Sequence, residues 1–418
     1  MRARSTRRRP GSTERRRAAI TEAHPTERPR DTLDALTSLR FFAALLVFSW
    51  HCVPTHQFSA TFSLGYIGVG FFFLLSGFIL TYSYRAAFAS GLRADAVRAF
   101  YAARIARIVP LHLVTMPPMI LTMVYFGNPV WTDAGVRTRV TEVAAQAVLL
   151  QSWFADRAVH FGGNGPSWSI SVEAFFYALF PLLAFVLLRA FRAASPRTVL
   201  LTALGVWLVQ AAVLSPQHAA VDDWRFYVFP PARLADFVVG MLLGIAVLRG
   251  DPAAPRRLRG TSMELLALAA VGLSVYVSPL LPLALRFSAA LMPAWAFAIY
   301  VFAARRGAIS RALAHPVLVR LGEVSFAFYL VHLAVIATVT YWVGPLHPLF
   351  APLAFGMSLG LSFALFHVVE QPLRVRIRRA LEPKRMRESA RNRGGKRAPG
   401  VARPVEQRGF HIQPRKAV

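Results

Sequence analysis

The sequence predicts an all-α protein, a polytopic membrane helical bundle of about ten transmembrane helices. Three observations carry that reading. Hydrophobic residues make up 55% of the 418 residues and charged residues only 16%. The apolar residues fall into blocks of about twenty, the length at which a helix crosses a hydrocarbon core ~30 Å thick. The basic residues gather between the blocks and in the two ends, the distribution expected when they stay on the cytoplasmic side.

Taken in order, residues 1–32 are rich in Arg, Pro, Thr and Glu and hold almost no large apolar side chain. They cannot bury a core, so a disordered basic cytoplasmic tail is expected. The membrane domain is placed at 33–374, and a second disordered basic cytoplasmic tail at 375–418. The first helix is predicted from Leu36 to Val53, closed by Pro54. The second covers Gly65–Tyr84. The stretch Arg85–Arg107 reads as the most basic internal loop. The third helix follows at Ile108–Phe126, with a kink expected at Pro117-Pro118. Val143–Phe154 is apolar but about twelve residues long, too short to span, and reads as re-entrant or interfacial on the outer side. The remaining helices are predicted at Trp168–Leu188, Val199–Leu214, Pro231–Leu248, Leu265–Leu281, Phe287–Ala304, Val324–Trp342 and Leu349–Val369.

The net charge of +28 suggests nucleic acid at first sight. Its distribution argues against that partner. Ten Arg lie in the first 38 residues, and fifteen Arg or Lys lie between Arg374 and Lys416, so just over half of the 48 basic residues sit at the ends. Polybasic ends suit anionic lipid headgroups, and no soluble module is left to read nucleic acid. With both ends inside, the four inner loops carry sixteen Arg and the five outer loops carry Arg137, Arg139, Arg157, Arg225 and Arg286. This bias predicts a multi-pass protein of the cell inner (plasma) membrane with both termini cytoplasmic. The single Cys52 excludes an intramolecular disulfide framework. The long basic lead, and the charged residues in the first apolar run, argue against a cleavable signal peptide.

A few polar residues interrupt the apolar helices. Arg40 and His51 lie eleven residues apart in LRFFAALLVFSWH. That spacing is within about 20° of three full turns and rises about 16 Å, so both share one face. Ionisable groups on membrane helices are expensive and usually face a bundle interior or a polar path. An imidazole suits general-base work on a hydroxyl. The plainer readings are a packing hydrogen bond for His51 and a snorkelling Arg40. Arg104 and Arg107 stand one turn apart and present guanidinium forks suited to phosphate oxygens, or simply anchor the helix at the inner interface. Ser76-Gly77 permits close helix approach.

In GGNGPSWSISVEAFFYALFP, Glu173 sits one turn into an apolar helix behind Trp168, Ser169 and Ser171. It belongs to a polar site or interacts with the helix N-terminus. Ser325, Tyr329 and His332 form a polar stripe on one helix face. That stripe serves interhelical hydrogen bonding or lines a substrate channel. Glu370 reads as a structural terminus, and Arg233 and Asp236 as a pair one turn apart. There is no metal-ligand spacing, no phosphate-cradling Gly-rich loop followed by Lys, and no GxSxG elbow.

Together these stretches resemble the acyltransferase type 3 family of bacterial integral-membrane acyltransferases, collinearly from Leu33 to Arg374. LRFFAALLVFSWH is similar to the family's Arg, ten residues, then His. GYIGVGFFFLLSGFILT is similar to its second helix ending Leu-Ser-Gly-Phe, and YAARIARIVPLH to its Arg-x-x-Arg motif. WSISVEAFFY, LGEVSFAFYLVH and VVEQPLR resemble its Trp-Ser-Leu-Ser-x-Glu, Tyr-Leu-x-His and Glu-x-Pro stretches.

The resemblance implies transfer of an acyl group, often acetyl, from cytoplasmic acyl-CoA to a hydroxyl of a glycan, another cell-envelope component or a metabolite of macrolide type. It implies acyl-CoA as donor substrate and no bound cofactor. By the same analogy His51 is the catalytic base and Arg40 its partner. Arg104 and Arg107 bind the donor. Glu173 belongs to the active site, with Ser76, Trp168, Ser171, Ser325, Tyr329 and His332 around it.

The chain departs from the pattern at Gly70, where many members have Asp or Glu. An acidic role there is absent or supplied elsewhere, with Glu173 the candidate. No soluble esterase-like domain is seen in the sequence, so a one-step transfer in the membrane module is expected. Direct transfer and an acyl-His intermediate are both open. The competing class is a transporter of a lipid-linked sugar or metabolite; the lack of an inverted repeat counts against it. A membrane sensor or scaffold would need a folded cytoplasmic module.

Overall fold

The computed structural model describes residues 33–52, 65–127, 133–216, 224–250, 260–304 and 307–381. Every regular element among them is helical. They are α1 (Asp34–Cys52), α2 (Gly65–Phe88), α3 (Ala94–Tyr125), the shorter α4 (Val136–Ala147) and α5 (Arg157–His160), then α6 (Trp168–Ala190) and α7 (Pro196–Leu214). A single turn, α8 (Trp224–Tyr227), precedes α9 (Leu234–Arg249) and α10 (Thr261–Val277). There follow α11 (Leu283–Ser288), α12 (Met292–Ala303), α13 (Ala308–Leu313), α14 (Pro316–Val343), α15 (Phe350–Leu365) and α16 (Gln371–Leu381). Ten helical stretches are long and apolar enough to cross a membrane, and the α4 region is not among them. The expected all-α bundle of ten spans is the fold.

Three local expectations change. Most of Arg85–Arg107 is helix rather than loop: α2 runs on to Phe88 and α3 begins at Ala94, so Arg98, Arg104 and Arg107 ride on a helix. That helix holds Pro110, Pro117 and Pro118 within it. The eighth span is not continuous, because a turn at 289–291 separates α11 from α12. Pro293 near the start of α12 has no N–H to continue the earlier helix. Side chains take up the carbonyls at the break: Trp207 Nε1 donates to Ala289 O (2.9 Å) and Arg233 Nη1 to Phe287 O (2.8 Å). Finally, 375–381 was expected within a disordered tail and lies instead in α16. The rest of both tails falls outside the described residues.

The order of packing fixes which way the spans run. Along α1 and α14, Thr37 meets Gly322, Phe41 meets Phe328 (ring centroids 5.8 Å) and His51 meets His332 (5.0 Å). Numbers rise together, so the first and ninth spans are parallel. Along α2 and α9, Gly240 abuts Leu74, and Gly244 abuts Phe78 and Thr81. The second and sixth spans are therefore parallel as well. Both pairings need an even number of crossings from one member to the next. A crossing by Val143–Phe154 would make each pair antiparallel, so that segment does not span.

One core cluster among the described residues is rich in aromatic rings. Phe100 stacks on Phe180 (4.9 Å, 25°) and Phe176 on Phe237 (4.8 Å, 16°), tying α3, α6 and α9 together. A second cluster joins α1, α14 and α15 through Phe48, Phe328, Ile336 and Phe350. α7 and α10 lie at the periphery, with 17% of each span buried, and turn Leu204, Leu208, Leu265 and Leu273 outward.

Candidate active site

Between α1, α2, α3, α6 and α14 lies a cavity of about 150 Å³. Arg40 from α1, Arg104 and Arg107 from α3, and Glu173 from α6 all line it. Ser76, Ser169, Ser325 and Tyr329 complete its polar wall, and Phe72, Phe73 and Leu80 its apolar wall. The cavity thus follows α2 from Val69 to Leu80, a rise of about 16 Å.

At the arginine end, Glu173, Arg104 and Arg107 have hydrogen-bond partners. Ser76 Oγ donates to Glu173 Oε1 (2.6 Å), and the Tyr177 hydroxyl donates to the same oxygen. Arg40 feels the Glu173 charge. Arg104 Nη2 donates to the Tyr84 hydroxyl (3.2 Å), and its guanidinium lies over the rings of Tyr84, Phe100 and Tyr177 at 5.6, 5.9 and 5.8 Å. Arg107 Nη1 donates to Glu370 Oε1. Arg107 also feels the like charges of Arg40, Arg104 and Arg374. Three guanidiniums on the cavity wall therefore stand against two carboxylates. The site keeps a positive excess in a low-dielectric surround, where an anion gains more than it would in water.

From its place in the sequence, Glu370 reads as a structural terminus. It is 2% exposed and carries the Arg107 contact. Its position follows from Pro372. A proline in a helix loses its own hydrogen bond and crowds the carbonyl four residues back, here Val368. The chain relieves this with a π turn over Phe366–Glu370, a departure often found at functional sites. Tyr177 was missed as well, although its spacing of four from Glu173 was a readable signal.

At the other end, the Tyr329 hydroxyl donates to Pro166 O (3.0 Å), as does Ser169 Oγ (3.0 Å), and the two hydroxyls stand 2.9 Å apart. Ser325 donates back to Gly322 O (2.8 Å) while facing the cavity. His332, one turn beyond Tyr329, is fully buried and touches His51, with Nε2 3.1 Å from His51 Nδ1. His51 and His332 do not line the cavity; they lie just past its Tyr329 end. Arg40 and His51 are thus held apart along α1, with Arg40 in the cavity and His51 against His332 of α14.

Two further residues expected around the site do not line the cavity. Trp168 packs between Phe73 and Tyr227 (ring centroids 6.2 and 4.6 Å), and its carbonyl accepts from Ser152 Oγ (2.6 Å). Ser171 donates to Leu149 O (2.7 Å) and accepts from Ser152 N (3.3 Å). Both hold the segment after α4 against α6. Near Gly70, a Cβ would lie 3.8 Å from Arg233 Nη2, and Arg233 donates to Asp236 (3.2 and 3.4 Å). The pairing of Arg233 with Asp236 is as the sequence spacing predicts.

A family model described as an acyltransferase domain matches residues 33–367. The acyltransferase MdmB of Streptomyces mycarofaciens is 33% identical over 334 residues, covering 73% of this chain and 79% of that protein. The O-acetyltransferase OatA of Staphylococcus aureus is 25% identical over 218 residues, covering 50% of this chain and 34% of OatA. The peptidoglycan O-acetyltransferase OatA of Listeria monocytogenes is 24% identical over 242 residues, covering 56% of this chain and 37% of that protein. This chain therefore spans about a third of the length of the OatA proteins. No solved structure matches.

Proposed function

This chain belongs to the acyltransferase domain family, and from that premise we propose that it transfers an acyl group, acetyl in the first instance, from acyl-CoA to a hydroxyl of a carbohydrate, cell-envelope component or secondary metabolite. The observation that carries the reading is the convergence of Arg40, Arg104 and Arg107 on one cavity whose opposite end adjoins His332 and His51. A polyanionic donor suits the first end and a hydroxyl deprotonation the second.

In this reading the donor phosphates meet Arg104 and Arg107 at the arginine end, where guanidinium forks match phosphate oxygens. A cavity that follows α2 from Val69 to Leu80, about 16 Å, suits the extended shape of an acyl-pantetheine arm and leaves the nucleotide at its mouth. Arg40, with Glu173 beside it, holds the arm near its middle. The thioester lies toward Tyr329 and His51. His51 takes the proton of the acceptor hydroxyl as the oxygen attacks the thioester carbonyl. The C–O bond forms, the C–S bond breaks, and the thiolate leaves with the proton returned by His51. The arginine end faces the cytoplasm, with both termini on that side of the inner membrane, in accord with the excess of Arg in the inner loops. The O-acetyltransferase names of two relatives support acetyl as the group and oxygen as its acceptor.

Purified protein in detergent or nanodiscs, given labelled acetyl-CoA and a panel of glycan and polyol acceptors, tests this directly. Label should move to an acceptor hydroxyl, and His51→Ala should reduce the rate by at least about a hundredfold, the scale of a lost general base. Undiminished transfer in His51→Ala would remove the mechanism. Vectorial movement of an acceptor with no donor consumed would replace the enzyme by a transporter.

A further inference from the structure

The contact between His51 and His332 contains more than proximity. His332 Nδ1 lies 2.8 Å from the Tyr329 carbonyl oxygen. A carbonyl only accepts, so His332 Nδ1 carries the proton and donates it there. In the neutral ring, Nε2 is then a bare acceptor. That nitrogen is the atom aimed at His51 Nδ1, 3.1 Å away. His51 Nδ1 also lies 2.9 Å from the Val47 carbonyl oxygen, so it too must be the protonated nitrogen. Its N–H is shared between Val47 O and His332 Nε2. The consequence falls on the far side of the His51 ring, where Nε2 is left with a free lone pair.

His332 is held as a positioning group needs to be. It is fully buried. Its ring lies parallel to Phe328 (6.4 Å, 16°) and against Phe48 and Tyr329 (6.4 and 5.8 Å). Tyr329 in turn is fixed by its hydroxyl on Pro166. The chain of contacts runs from the cavity wall through Tyr329 and His332 to His51.

We propose that His332 is the positioning residue for His51, doing with a neutral imidazole what a carboxylate does for histidine in other acyl-transfer sites. This rests on the reading of His51 as base. When His51 Nε2 takes the acceptor's proton, the ring becomes an imidazolium and its Nδ1–H bond to His332 Nε2 strengthens. When Nε2 returns that proton to the departing thiolate, the bond relaxes. His332 gains no net proton in the cycle. A neutral partner holds the ring and its tautomer without the standing negative charge that a buried carboxylate would bring into the membrane.

The test compares His332→Leu with His332→Gln, whose side-chain carbonyl can again accept from His51 Nδ1. With acetyl-CoA as donor, His332→Leu should lower kcat at least about tenfold, with KM for the donor changing less than about twofold, and His332→Gln should recover most of the loss. Leu and Gln variants that are equally impaired would make His332 a packing residue and overturn the proposal. So would a Leu variant with wild-type kcat. A second readout does not need activity. In protein labelled with ¹⁵N at histidine, and assigned by loss of signals in His51→Ala, the His51 ring should be protonated at Nδ1 and bare at Nε2, and its Nδ1 signal should shift in His332→Leu. Protonation at Nε2 instead, or no shift, would overturn the inference. If the wild-type protein transfers no acyl group, the functional reading fails separately, and the spectrum still decides the His51–His332 bond.

Discussion

Glu142, on α4 between the third and fourth spans, is fully buried, and neither carboxyl oxygen has a hydrogen-bond partner. It packs against Gly162 and Gly163, where a side chain would collide with it; Gly163 also holds a φ of +49°, which favours glycine. Burial pushes the Glu142 carboxyl up to about 8. The fold thus holds a proton that the unfolded chain releases at an ordinary carboxylate pKa. Stability contributed by the neutral acid is full below the unfolded pKa, falls as pH rises through the window up to about 8, and levels beyond it. Glu142→Gln keeps the shape without the titration. Its unfolding temperature should gain on wild type between about pH 5 and about pH 8. A constant difference across that range would show that Glu142 does not titrate in the fold. The sequence offered no sign of this residue, because burial without a partner is a property of packing. It did reveal partners a turn apart, as with Arg233 and Asp236. It could not reveal Arg107 and Glu370, 263 residues apart, nor the two histidines, which only the crossing of α1 and α14 brings together.

Among elements, the tightest packing is between α2 and α9. Gly77 lies against the Phe237 carbonyl and Met241 N, and Gly240 against the Leu74 carbonyl. Backbone meets backbone, and small residues at such a seam are how membrane helices approach closely without a hydrophobic driving force between them. The same seam sets the cavity wall, since Phe73 and Leu75 of α2 line it on either side of Leu74. Gly77→Ala or Gly240→Ala should therefore cost at least the ~1–3 kcal/mol of an overpacked core and lower transfer with it. Gly205→Ala and Gly360→Ala meet open space and should be neutral or slightly stabilising, since alanine is the better helix former by roughly 1 kcal/mol. Thermal unfolding of the four variants distinguishes a seam from a generic glycine effect; equal melting of all four would refute it. Hydropathy found this seam's helices but not their ends. Arg98, Arg104 and Arg107 read as loop because charge ends an apolar block, although the helix carries on beneath them. The break between α11 and α12 was hidden for the opposite reason. Its sequence is apolar throughout, and the bonds that permit it come from Trp207 and Arg233 elsewhere in the chain.

For the molecule as a whole, the count of spans was legible because bilayer thickness writes itself into block length, and the parallel pairs α1 with α14 and α2 with α9 agree with that count. The packing that fixes relative direction is silent on which side is which; the arginine bias supplies that. The two together make one consequence testable. The connection from α2 to α3 lies at the arginine end of the cavity, and the segment between α4 and α6 lies one crossing away. Cys52 is the sole cysteine and is buried, so an added thiol reports by itself. Ser90 and Ala155 are both exposed. On intact cells, a membrane-impermeant maleimide should label Ala155→Cys and leave Ser90→Cys untouched until the membrane is opened. That result would put the guanidiniums within reach of a cytoplasmic thioester, and place the acceptor's approach on the side where His51 and His332 lie. The reverse labelling would turn the arginine end outward, away from any supply of acyl-CoA.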